Sequence, residues 1–201
     1  MTTMQPEIDS LVERARKAQQ NYEATGTQEK FDRAAQAAAW ALMEPTRNAE
    51  LAAFAVAETG LGNSADKITK NHRKTLGLMR DIKGQKSFGL VDDNPANGVS
   101  EFLRPKGVVA AIVPSPNPLA TPVNNVVNAL KTGNAIILAP SPKGVAPLEK
   151  LLGYIDAEFA QIGLDHDLVQ MVPNPPSNDK TARLMQLADM LVVTGSQSNV
   201  R

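Results

Sequence analysis

No cysteine occurs among the 201 residues of this chain. That excludes disulfides, thiolate metal centres and covalent catalysis by a thiol of its own. Histidine is almost as scarce: His72 and His166 are too few for a histidine-rich metal site. Charge of either sign is not in excess, since Lys plus Arg and Asp plus Glu each number 21. No global field therefore recruits nucleic acid or an anionic membrane, and weak self-repulsion is compatible with oligomerisation. No apolar run approaches the roughly 20 residues needed to cross a bilayer. The leading MTTMQPEIDSLVERARK has neither the apolar core nor the small-residue cleavage site of a secretory signal. A soluble, cytoplasmic protein is the expectation.

A hydrophobic content of 42% is enough for one domain with a substantial core. Residues 1–84 read as helices. Ile8, Leu11, Val12, Ala15, Ala18 and Tyr22 keep the i, i+3, i+4, i+7 rhythm, and Phe31, Ala35, Ala38 and Leu42 form a second such run before Pro45. Leu51, Phe54 and Ala55 continue to the breaker Gly60-Leu61-Gly62. Ser64 then caps a last helix with Ile68, His72, Thr75, Leu76, Met79 and Ile82 along one face. That stripe predicts a partly buried His72, while His166 lies in a solvated loop. Trp40 and Phe31 are expected in the core. Seven Lys or Arg against two Asp at 66–86 could attract an anion, although a solvated helix face is the simpler reading.

Residues 85–105 hold two short extended candidates, KSFGLV and GVSEFLR, around the turn-rich DDNPANG. They predict a hairpin or projecting arm that packs on something else. From residue 106 strand and helix alternate. Val108–Val113, Ala135–Ala139, Leu168–Val172 and Met190–Thr194 are apolar runs with helical patterns between them. That order predicts right-handed crossovers and a parallel sheet, an α/β fold. Ten of the 14 prolines fall between Pro114 and Pro176, mostly just after strands, where they stiffen the turns. Asn117 sits in such a turn, past the end of the first strand, where open α/β sheets bind ligands; a turn asparagine there can equally cap the next helix. The chain stops at TGSQSNVR, one turn into an expected helix, which suggests truncation.

Three segments in this order, FLRPKGVVAAIVPSPNP, NALKTGNAIILAPSPKG and VVTGSQSNVR, resemble the aldehyde dehydrogenase superfamily, over essentially all 201 residues but only the first part of a member. The version of each motif resembles the CoA-acylating branch. KNHRKTLGLMRD and ILAPSPKG are most similar to acylating sulfoacetaldehyde dehydrogenases. The resemblance implies a Rossmann-like NAD(P)-binding domain at 106–201, incomplete here, an arm used in oligomerisation at 85–105 and a helical region at 1–84 packed on the nucleotide domain. It implies oxidation of an aldehyde by NAD or NADP, through a cysteine thioester that is passed to coenzyme A, with the cysteine lying outside this chain.

Residue by residue, Asn117 matches the family's oxyanion donor. Pro114 and Ser115 match the nicotinamide side of the turn. Ala139, Ser141 and Pro142 fall where the adenosine ribose lies. Thr194, Gly195 and Ser196 fall beside the nicotinamide and pyrophosphate, where a helix start would offer free N–H groups. Many members carry a lysine and a glutamate at the ribose positions held here by Ala139 and Pro142, which leaves NAD and NADP both open. The partners implied are a small aldehyde, CoA and further copies of the full-length chain, with neither nucleic acid nor membrane. A non-acylating semialdehyde dehydrogenase, or a non-catalytic nucleotide-binding or oligomerising module, remains an alternative. Without a thiol, the 201 residues alone are expected to be inactive.

Overall fold

A computed structural model describes residues 5–195. Four helices come first: α1 (Pro6–Ala24), α2 (Gln28–Met43), α3 (Pro45–Thr59) and α4 (Ser64–Asp81). Their limits follow local chemistry. Pro6 and Pro45 occupy first-turn positions, where the missing N–H costs nothing. Thr27 caps α2 by accepting from Lys30 N–H, and Gly60 ends α3 in the left-handed conformation. Asn63, one residue before the expected Ser64, caps α4 by accepting from Asp66 N–H. Ser64 instead opens the helix.

The hairpin expected at 85–105 is formed by β1 (Gly89–Asn94) and β2 (Val99–Leu103), paired antiparallel with an irregularity between Leu90 and Asp92. Then come β3 (Val108–Val113), α5 (Ala120–Lys131), β4 (Ala135–Pro140), α6 (Val145–Ile162), β5 (Val169–Met171), α7 (Asn178–Leu187) and β6 (Met190–Val193). The four later strands form one parallel sheet in the order β5-β4-β3-β6. β3 and β4 are nearly wholly buried, which is why they read as unbroken apolar runs. The chain winds outward from β3 through β4 to β5, then returns across to place β6 on the other side of β3. The strand order therefore reverses beside β3, and a crevice opens at the carboxyl ends of β3 and β6.

The helical region completes this domain. α1 lies against β3, β4 and β5 with α7 beside it, while α2 packs on α5 and α6. Phe31 of α2 is fully buried, with Tyr22 and Phe88 at ring-centroid distances of 4.6 and 5.0 Å. Such pairs contribute about 0.5–1.5 kcal/mol beyond burial. Gly133 closes against this cluster at φ +75°, where an added Cβ would come within 2.6 Å of Pro105 Cγ.

Two side-chain placements differ from the sequence reading. Trp40 is 48% exposed, because the Ala-rich inner face of α2 (Ala34, Ala35, Ala38, Ala41) is what packs. His72 and Leu76 point outward, because α4 is rotated so that Lys67, Asn71 and Thr75 face inward. The reason is polar: Asn71 Nδ2 donates to Asn48 Oδ1, and Asn48 Nδ2 to the Ile68 carbonyl, both at 3.0 Å. A helix seated on a buried amide pair does not show its inner face in an apolar pattern. His166, as expected, is exposed. No helix among the described residues is long and apolar enough to cross a membrane.

Candidate functional site

The crevice at the strand ends is a cleft of about 750 Å³. Its walls are the ends of β3, β4 and β6, the turns that follow them, and the start of α7. Pro114, Ser115, Asn117, Ala139, Ser141, Pro142, Thr194 and Gly195 all line it. Ser196, and the helix start expected there, lie outside the described residues. The pattern also concealed one wall: Pro176, Ser177, Asn178 and Thr181 approach from the loop before α7 and from its first turn. Ser177 caps that helix by accepting from Lys180 N–H at 3.2 Å. A Ser-Asn-x-x pattern before an amphipathic run signals a cap, but not that the cap meets the same cleft.

Ser115 and Ser141, on turns from neighbouring strands, are joined Oγ to Oγ at 2.7 Å. The bond follows from the register, in which Val113 pairs with Pro140 and sets the two turns side by side. Thr194 N–H donates to the Ile112 carbonyl at 3.2 Å and holds the end of β6 against β3.

Asn117 does not cap α5. That helix begins at Ala120 with no side-chain cap. Instead Lys70 Nζ donates to Asn117 Oδ1 at 2.5 Å. An ammonium has no acceptor, so the amide oxygen must be the atom facing it. The Asn117 NH2 is thereby turned the other way, and it makes no hydrogen bond among the described residues. A half-buried amide with a pinned carbonyl and free N–H groups can donate to an oxygen that gains negative charge. The adjacent cation polarises the amide further in that direction.

The solvated basic face expected at 66–86 does not include two of its lysines. Lys70 is half-buried against Asn117, and Lys67 is 5% exposed. Burial first, then the charge of Lys70, lowers the Lys67 pKa from its ordinary value. Arg73 and Lys74 remain exposed as expected.

Comparison with known proteins fits this geometry. The sequence pattern of the aldehyde dehydrogenase family matches residues 2–201. The acylating sulfoacetaldehyde dehydrogenase of Cupriavidus necator is 57% identical over 194 residues, which are 96% of this chain and 39% of that protein. An acetylating aldehyde dehydrogenase from Geobacillus thermoglucosidasius superposes with a TM-score of 0.88 at 31% identity, over 96% of this chain and 42% of that one. Rhodopseudomonas palustris propionaldehyde dehydrogenase, solved with bound CoA and an acylated cysteine, gives 0.80 at 28% identity, over 95% and 43%. The chain thus spans about two-fifths of the length of the relatives it matches.

Proposed function

The chain belongs to the aldehyde dehydrogenase family, and from that premise we propose that it is the amino-terminal part of an NAD(P)-dependent, CoA-acylating enzyme. Its substrate in this reading is a small aldehyde, sulfoacetaldehyde first, which leaves as the acyl-CoA. The thiol that forms the thioester comes from outside the 201 residues, since none of them is cysteine.

The orientation of Asn117 carries this reading. Its NH2, set by the Lys70 bond, is the donor for the carbonyl oxygen of the aldehyde as that oxygen becomes an oxyanion. An amide suits the task because it donates without changing charge. One such donor is worth about 3–4 kcal/mol of transition-state stabilisation in other enzymes.

The cleft suits a dinucleotide in size and place. Its volume of about 750 Å³ lies within the range of roughly 300–1,000 Å³ usual for ligand sites, and it opens where the strand order reverses. Ser141 and Pro142 would hold the adenosine ribose. Pro114 and Ser115 would hold the nicotinamide side, with Thr194, Gly195 and Ser196 beside the nicotinamide and pyrophosphate. When bound, the nicotinamide supplies the hydride acceptor. The exposed hairpin, with Val99 and Phe102 more than half accessible, supports assembly into a homo-oligomer. The site is read as cytoplasmic, where CoA and nicotinamide cofactors are both at hand.

The test is NADH or NADPH formation by the full-length protein with sulfoacetaldehyde and CoA. Asn117→Ala is expected to lower kcat by about 10²–10³ while leaving cofactor affinity nearly unchanged. Absence of CoA-dependent turnover with any small aldehyde would overturn the reading, as would an Asn117→Ala variant with wild-type kcat.

A further inference from the structure

We infer that Lys67 and Lys70 form a cationic subsite beside Asn117 that receives the anionic end of the aldehyde, a sulfonate or a carboxylate. The identity of that molecule as an aldehyde rests on the function proposed above; the anion subsite itself does not.

The two lysines are three residues apart on α4 and so share one face. Both line a cavity of about 140 Å³ whose other walls are Leu61, Gly62, Asn63, Asp66 and Pro116. Lys67 is largely buried along its stem, and among the described residues its ammonium has neither an ion-pair partner nor a hydrogen bond. Lys70 is bonded to a neutral amide, not a carboxylate. Two lysines on one cavity wall, neither of them paired with a carboxylate, repel each other, and burial of the Lys67 stem adds a desolvation cost. An oxyanion between them relieves both the desolvation and the mutual repulsion. The one carboxylate on the wall, Asp66, is exposed and is engaged by Asn63 Nδ2 at 2.6 Å. It stays at the rim, where its charge is screened by water.

Position relates the subsite to the reaction. Pro116 is common to the small cavity and the large cleft, and Asn117 follows it directly. An aldehyde whose oxygen meets the Asn117 NH2 can pass its tail over Pro116 to the lysines. A cavity of about 140 Å³ accepts a sulfonate, being several times the roughly 30 Å³ share of one water. Lys70 touches both ends of this arrangement, so an anion that draws its ammonium away from Asn117 Oδ1 also alters the donor.

The decisive experiment pairs binding with kinetics in the full-length protein. Sulfoacetate, which has no aldehyde to react, is titrated calorimetrically into wild type, Lys67→Met, Lys70→Met and Lys67→Arg. Either methionine variant is expected to bind it at least tenfold more weakly, with partial recovery in Lys67→Arg. In steady state, KM for sulfoacetaldehyde should rise at least tenfold relative to KM for acetaldehyde in the methionine variants. Should Lys67→Met not fold, Lys70→Met, at a half-exposed position, carries the test. A rise confined to KM for CoA would overturn the inference by assigning the lysines to a CoA phosphate. An unchanged ratio of the two KM values, or unchanged sulfoacetate binding, would overturn it as well. Lysine-dependent sulfoacetate binding by a protein without dehydrogenase turnover would refute the proposed activity and leave the subsite standing.

Discussion

Replacing Asp189 by alanine should cost about 2–3 kcal/mol of stability, most of it from one backbone N–H. Asp189 stands immediately before β6. Its Oδ2 accepts from Val108 N–H at 2.8 Å and from Arg16 Nη1 at 2.7 Å, while its own N–H donates to the Val108 carbonyl at 2.9 Å. One carboxylate thus ties α1, β3 and β6 together at the entry to the sheet. The ion pair itself is modest. Its side chains are 39% and 31% exposed, and pairs in water contribute about 0.2–1 kcal/mol. The backbone bond matters more, because Val108 is fully buried and its N–H would lose its partner, at about 1–3 kcal/mol. Arg16→Ala, which keeps that bond, should therefore cost less than about 1 kcal/mol. Asp189→Asn, which retains one acceptor, should fall between them. Urea unfolding followed by far-ultraviolet circular dichroism gives all three values, with an unchanged slope showing that the unfolded state is the same. If Asp189→Ala were no more destabilising than Arg16→Ala, the assignment of the cost to the Val108 N–H would be wrong.

Gly107→Ala should lose about 1–3 kcal/mol, because its φ of +125° strains any side chain and the new Cβ would sit 2.9 Å from Asp189 Cγ. Gly98→Ala, at φ +68° with nothing within 4 Å, should lose less, and equal melting temperatures for the two would refute the clash. Both tyrosines should resist ionisation: burial, then Asp32, raises the pKa of Tyr22, and the bond to Glu50 raises that of Tyr154. With the folded pKa above the unfolded one, their contribution is intact below about pH 10 and is lost as the pH climbs beyond it. With Tyr154 replaced by Phe, the phenolate absorbance of Tyr22 should then rise only together with the unfolding signal, and a separate step near pH 10 in the folded variant would contradict this.

How far the pattern could be read depended on whether each element's inner face was apolar. α7 fills the helical pattern expected between the last two strands and occupies Asn178–Leu187, bounded by a serine cap and by the return to an apolar strand. α4 lies where the sequence puts it, and of its expected inner face Thr75, Met79 and Ile82 do point inward. His72 and Leu76 do not, because the polar Lys67 and Asn71 take the inner positions and leave no apolar pattern there. The cleft-lining residues were legible because strand-end turns in a parallel sheet collect at one edge, and eight of the nine expected site residues meet there. Lys70 was not legible, because 47 positions separate it from Asn117 and nothing local marks the pair.

By itself the order of residues determined the α/β class, the parallel strands and the absence of a thiol. Each is a local property: apolar runs of strand length, glycine and proline stops, and plain composition. Only the tertiary structure decided that β6 returns beside β3 to open the crevice, that α1 covers a sheet face, and that Lys70 turns the Asn117 amide. Those depend on contacts between distant segments, whose geometry comes from packing the whole chain at once.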